Sequence, residues 1–138
     1  MTATLDQLRE ESQQDLQIDQ LNIQSEAARN PVIYGKWLDY LAQVKYERIR
    51  LDNTLKRTQS ERMLYYTGKS TGRVSPVIYD KTEIKSVLAA DDEVIRAQSA
   101  LDLCQLKIQV CEETLRAVNG RQFAIKHIID TRRLEAGQ

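Results

Sequence analysis

PVIYGKWLDYLAQVKYERIRLDNTLKRTQSERMLYY, residues 31–66, decides the fold. Tyr34, Trp37, Leu41, Val44, Arg48, Leu51, Leu55, Thr58, Arg62 and Tyr65 recur at alternating spacings of three and four. That period is the seam of an α-helix packed on another helix. At about 1.5 Å per residue the stretch makes a rod roughly 50 Å long. Asn30-Pro31 reads as its start, a capping side chain followed by proline at the first helical position. The first half of the seam is apolar, whereas the second half holds Arg48, Thr58 and Arg62. An arginine in a seam is costly unless that end opens to solvent or meets an anion.

The neighbouring segments repeat the pattern. Residues 3–16 give a short helix with Leu5, Leu8 and Leu16 on a weak stripe. LQIDQLNIQ, residues 16–24, breaks the period and places a kink near Asp19, which caps a second short helix through Ala28. After Tyr66, GKSTGRVSP is a flexible loop with two glycines and Pro76. Asp80 or Thr82 restarts a short helix through Val87 and Leu88. Asp91-Asp92-Glu93 then places acids where a helix macrodipole favours them.

The next helix carries an unbroken stripe of Val94, Ala97, Leu101, Cys104, Ile108, Cys111, Leu115 and Val118. Leu103, Leu106 and Val110 add a second apolar face, so this helix needs more than one neighbour. Asn119-Gly120 reads as a C-cap or hinge, and RQFAIKHIIDTRRLEAG as a last amphipathic helix. Leu101, Ile108, Leu115, Phe123 and Ile128 are the expected oligomer interface, because one short chain offers little else to cover both helices. The expectation is a single all-α domain: helices with a basic end over 1–67, a loop at 68–79, and C-terminal helices over 80–138 that carry assembly.

With 138 residues the chain can bury a modest core, and seven Gly plus Pro agree with helix throughout. The formal net charge is zero, but its distribution is uneven. Residues 1–30 sum to −4, residues 45–73 to +5, residues 74–115 to −4 and residues 116–138 to +3. A zero total therefore conceals a basic stretch that suits phosphate. No apolar run approaches the roughly 18 residues of a membrane span, and no signal peptide is expected. Cys104 and Cys111 lie seven residues apart, about 10 Å along a helix, which excludes a disulfide between them and matches no zinc spacing. They read as small core residues in a reducing cytosol.

Tyr65 to Arg73, YYTGKSTGR, ends like a phosphate-binding loop. The full signature G-x-x-x-x-G-K-[ST] requires a first glycine where Met63 stands, a strand before the loop and a helix after it. A helix precedes it and Pro76 follows, so a nucleotide site is not expected. Lys56, Arg57, Arg62, Lys69 and Arg73 interleaved with Tyr65 and Tyr66 suit single-stranded nucleic acid instead. Cations neutralise the backbone while rings stack on unpaired bases. Arg121, Lys126 and Arg132 form a second basic set. His127 has no co-ligand in sequence, and no catalytic spacing or cofactor motif is present, so no enzyme and no cofactor are expected.

YGKWL at 34–38, LYYTG at 64–68, YDKTEIKSVLAAD at 79–91 and RQFAIKHIIDTRRLEAGQ at 121–138 resemble the UvsY recombination mediators of tailed phages over nearly the whole chain. The resemblance implies a small helical protein acting in the host bacterial cytoplasm. It would bind single-stranded DNA and assemble into a ring, a heptamer or hexamer. It would load a RecA-like recombinase (UvsX) onto DNA covered by single-strand-binding protein, without hydrolysing ATP. A coiled-coil adaptor that never touches nucleic acid is the alternative. One departure stands out. The family's basic motif resembles L-K-A-R-L-D-Y and falls on residues 59–65, where Arg62 and Tyr65 match but Ser60 replaces the lysine and Glu61 adds a negative charge.

Overall fold

In the computed structural model, which describes residues 3–137, four α-helices and one 3-10 turn follow each other: α1 (Leu5–Asp15), the turn Gln20–Asn22, α2 (Ile23–Tyr66), α3 (Ile84–Ala89) and α4 (Asp92–Glu135). No strand occurs among the described residues. The chain divides into two compact units, one built from the part up to Lys45 and the part from Leu106, the other from Tyr46–Gln105.

Several boundaries differ from the sequence reading, among them the start of α3, which is Ile84 and not Asp80 or Thr82. Helix α2 begins at Ile23, so Pro31 lies inside it. Proline there removes the amide that would bond the Ala27 carbonyl. Tertiary contacts compensate: Asn30 does not cap a helix but is buried, its Nδ2 donating to the Val118 carbonyl at 3.0 Å. Asp19 caps as expected, but the element it starts is the 3-10 turn, through the Leu21 amide at 3.0 Å. Helix α4 likewise runs unbroken through Asn119-Gly120, which is neither cap nor hinge. The stripe explains this, because continuing its spacing past Val118 reaches Arg121 and Ile125, and both are buried.

In the first unit, Leu8, Ile23, Ile33, Trp37 and Val44 are buried, together with Ile108, Cys111, Leu115, Val118 and Ile125. The bases of α2 neutralise the acids of α1. Lys36 pairs with Asp15 at 2.5 Å and Glu11 at 3.2 Å, and the Tyr40 hydroxyl donates to Glu11 at 3.0 Å. The Trp37 indole donates to Asp15 at 2.9 Å while its ring meets Tyr40 edge-on. A buried polar knot sits beside them. Arg121 Nη2 lies 2.6 Å from Glu26 Oε2, Nη1 donates to Asn30 Oδ1 at 2.8 Å, and Nη2 also donates to the Gln17 carbonyl at 2.8 Å. The second unit is thinner: Leu55, Val94 and Cys104 are buried, with Ser75 and Asp91 as buried polar residues.

The stripe from Val94 to Val118 was expected to need another protomer. The chain covers much of it itself: Ile108 is 1 % exposed and Leu115 8 %, so neither is available to a partner. Leu101 and Ile128 are half-buried, and Phe123 is 72 % exposed. The large apolar side chains left exposed on α4 are Ile95, Leu103, Leu106, Phe123 and Leu134.

Candidate nucleic-acid interface

The end of α2 and the loop after it carry most of the expected site. Leu55 turns inward, which leaves Lys56 and Arg57 on the exposed side of the same turn. Lys56 pairs with Asp52 at 2.9 Å, an exposed contact one turn back that leaves the charge largely to solvent. Arg57, Lys69 and Arg73 are exposed and form no ion pair among the described residues.

The stretch GKST proves to be a helix terminator. Gly68 adopts a left-handed φ of 73°, a conformation that disfavours any side chain. The Lys69 amide donates to the Leu64 carbonyl at 2.9 Å and the Gly68 amide to Tyr65 at 3.4 Å, the paired bonds of a Schellman cap. The Ser70 amide also turns back to Leu64, at 3.2 Å. These amides satisfy α2's last carbonyls, so they form no cradle for a phosphate. Further along, the Ser75 amide donates to the Tyr65 carbonyl at 3.0 Å and the Tyr79 amide to Tyr66 at 3.1 Å. The loop is thus suspended from the final turn of α2.

Arg62 and the tyrosines form one cluster. The Arg62 guanidinium lies 4.2 Å from the Tyr65 ring centroid and 5.3 Å from that of Tyr66. Tyr65 and Tyr66 meet edge to face at 5.0 Å, and Tyr66 meets Tyr79 at 5.9 Å. Arg62 Nε donates to Asp91 Oδ2 at 2.9 Å, and the Tyr66 hydroxyl donates to the same oxygen at 2.6 Å. The anion that the seam arginine required is therefore a carboxylate of its own chain. Burial would raise the Asp91 carboxyl, but the Tyr66 hydroxyl, the Val94 amide and Arg62 outweigh it and hold it below the usual range. Burial would equally pull Arg62 down, yet Tyr66, Asp91 and Glu93 raise it, so its charge is permanent. Tyr66, with its hydroxyl spent on Asp91, is pushed up. Glu61 and Glu93 share an open polar recess with Arg62, Tyr65, Ser70 and Arg73, which tempers the positive field there.

The second basic set does not come together as expected. Arg121 is buried in its knot with Glu26 and Asn30 and offers nothing to a phosphate; the seam position it occupies is the physical reason. Arg132 is exposed but donates to the Gln20 carbonyl, and Lys126 is exposed. Sequence reasoning treated Asp91 as a helix-start acid and missed its second duty to Arg62. An arginine in an inward-facing seam, which needs an anion, was the available signal. Among the described residues no group of His, Cys, Asp or Glu could hold a metal ion, and no helix is long and apolar enough to cross a membrane.

Comparison with known proteins adds to this geometry. A family model described as the recombination, repair and ssDNA binding protein UvsY matches residues 11–138. The recombination protein uvsY of Enterobacteria phage T4 is 38 % identical over 135 residues, spanning 97 % of this chain and 98 % of that one. A crystal structure of the bacteriophage T4 recombination mediator protein UvsY, in lattice type II, superposes with a TM-score of 0.88 at 37 % identity, covering 97 % of this chain and 98 % of the other. The same protein in lattice type III gives 0.74 at 31 % identity, covering 97 % and 99 %.

Proposed function

The chain belongs to the UvsY family, and from that premise we propose that it is a recombination mediator: it binds single-stranded DNA and loads a RecA-like recombinase (UvsX) onto strands covered by single-strand-binding protein, inside the host bacterial cell. The observation that carries the reading is the exposed set Lys56, Arg57, Lys69 and Arg73, along the end of α2 and the loop after it, in the stretch that also holds the half-buried Tyr65. These cations contact phosphates, and Tyr65 offers a face to a base. The mediator has no catalytic chemistry and no cofactor of its own. Lys126, in the other unit, is a further exposed cation.

Assembly into a ring, heptameric or hexameric, multiplies this modest site. Several copies on one polyanion raise the effective concentration of each. Phe123 and Leu134, both largely exposed on α4, supply apolar surface for the protomer contact, with the open groove lined by Leu5, Leu16, Leu106, Val110 and Ala117.

The test is fluorescence anisotropy of a labelled oligothymidylate across a salt series. Log affinity should fall with log salt by about 0.7 per phosphate neutralised. Lys69→Ala and Arg73→Ala should each flatten that slope at unchanged oligomer mass. Strand exchange on DNA precoated with single-strand-binding protein should recover when the protein is added. Salt-independent or absent DNA binding would instead identify an adaptor that touches only proteins.

A further inference from the structure

One buried carboxylate organises the strand-binding end. Asp91 Oδ1 accepts from the Glu93 amide at 3.0 Å and the Val94 amide at 3.1 Å, which starts α4. Its Oδ2 accepts from Arg62 Nε at 2.9 Å and from the Tyr66 hydroxyl at 2.6 Å. The side chain is 3 % exposed. A single group therefore closes the first turn of α4 and clamps two positions one turn apart near the end of α2. The loop amides of Ser75 and Tyr79 hang from the carbonyls of Tyr65 and Tyr66, at the clamped turn itself.

Arg62 is engaged on its edge by Asp91 and on its face by Tyr65. A phosphate taking Arg62 would strand a buried carboxylate, and such a group is costly to leave without its cation. Exposed cations in the same unit carry no comparable obligation.

We propose that Arg62 is a positioning residue and not a phosphate ligand: through Asp91 and Tyr66 it fixes the last turn of α2, and with it the loop that presents Lys69 and Arg73 to the strand. The inference rests on the reading of this end as strand-binding. The rival arrangement is an Arg62 that binds phosphate once Asp91 releases it. The two give opposite signs for Asp91→Asn. Asparagine caps a helix as well as aspartate does, so α4 still starts normally. The substitution also removes a negative charge near the strand. A held-back phosphate ligand would be freed and binding would tighten; a lost clamp loosens the loop and binding weakens despite the favourable charge change.

The experiment uses the full-length oligomer with two readouts. Hydrogen exchange without DNA follows the Ser75 and Tyr79 amides in Asp91→Asn, Arg62→Gln and the milder Tyr66→Phe. Anisotropy with labelled oligothymidylate gives affinity and salt slope for the same variants beside Lys69→Ala and Arg73→Ala. The expected result is exchange faster by tenfold or more in Asp91→Asn and Arg62→Gln, several-fold weaker affinity at every salt concentration, and a slope equal to that of the parent. Tighter binding by Asp91→Asn, or a slope flattened by Arg62→Gln as much as by Lys69→Ala, overturns the proposal. So does unchanged exchange at both amides. If Lys69→Ala and Arg73→Ala leave affinity untouched, the strand-binding reading of this end is what fails, and hydrogen exchange alone decides whether Arg62 sets the loop.

Discussion

Replacing Arg121 by methionine should unfold the protein far more readily while leaving any direct DNA contact intact. Its side chain is 2 % exposed and that of Glu26 8 %, with 2.6 Å between Nη2 and Oε2. Removing one partner of such a pair costs about 3–5 kcal/mol, because the other charge stays buried and unpaired. The Gln17 carbonyl loses both its guanidinium donors as well, at 2.8 and 3.3 Å. Two contacts moderate the loss: Glu26 keeps the Asp19 amide at 3.0 Å and the half-exposed Arg29 at 3.3 Å. A value near 3 kcal/mol is therefore expected, and at a urea m-value of about 1–3 kcal/mol per molar the midpoint should fall by roughly 1–3 M. Urea melts at one fixed protein concentration measure this, because any stability coupled to association varies with concentration. The double variant Glu26→Met, Arg121→Met should regain much of the loss, because an apolar pair of similar volume needs no desolvation. A single variant within about 1 kcal/mol of the parent would refute the reasoning, as would a double variant no more stable than the single.

Three further outcomes are expected. The stability that Asp91 confers comes from a carboxyl held below its ordinary value, so it is fully present above about pH 4, the unfolded value, and is lost as pH falls through the folded one; urea melts of the parent and Asp91→Asn should therefore differ at pH 7 and draw together as the pH is taken below that value. Burial pushes the Cys111 thiol up to about 11 and Cys104 is buried as well, so a thiol reagent at neutral pH should label either only after denaturant is added. Phe123→Asp should lower the sedimenting mass without loss of helical circular dichroism; truncation at residue 120 is a poorer test, because it would also strip Arg121 and Ile125 from the core.

Helical periodicity made the fold legible. The seam of α2 and the stripe of α4 turn inward where the spacing of three and four placed them, with Arg48 exposed as the exception. Local punctuation was less reliable. Asn30-Pro31 and Asn119-Gly120 are strong boundary signals in isolation, yet both lie within helices whose buried faces outweigh the local preference. The candidate site was legible as a cluster of charge and aromatic rings, and not by the role of each residue in it. Charge and aromatic content marked the end of α2, but only distances distinguish Lys69, open to solvent, from Arg62, committed to Asp91. Arg121 looked like surface charge because the supposed hinge at Gly120 interrupted the count; carrying the stripe across it puts Arg121 in the seam. Glu26, its partner, lies 95 residues away in sequence, a separation that no local pattern reports.

The pairing of α1 acids with α2 bases bears on how a neutral molecule can hold a polyanion at all. At physiological ionic strength a charge is felt over only about 8 Å. Glu11 and Asp15 spend their field on Lys36 within that radius, and Glu26 spends its own on Arg121. A passing strand therefore does not experience the zero total, nor the −4 of residues 1–30. It experiences whichever charges the fold has left unanswered nearby. Such short-sighted electrostatics gives little attraction at a distance and a firm hold at contact, so adding salt should hasten departure of the strand more than it slows arrival.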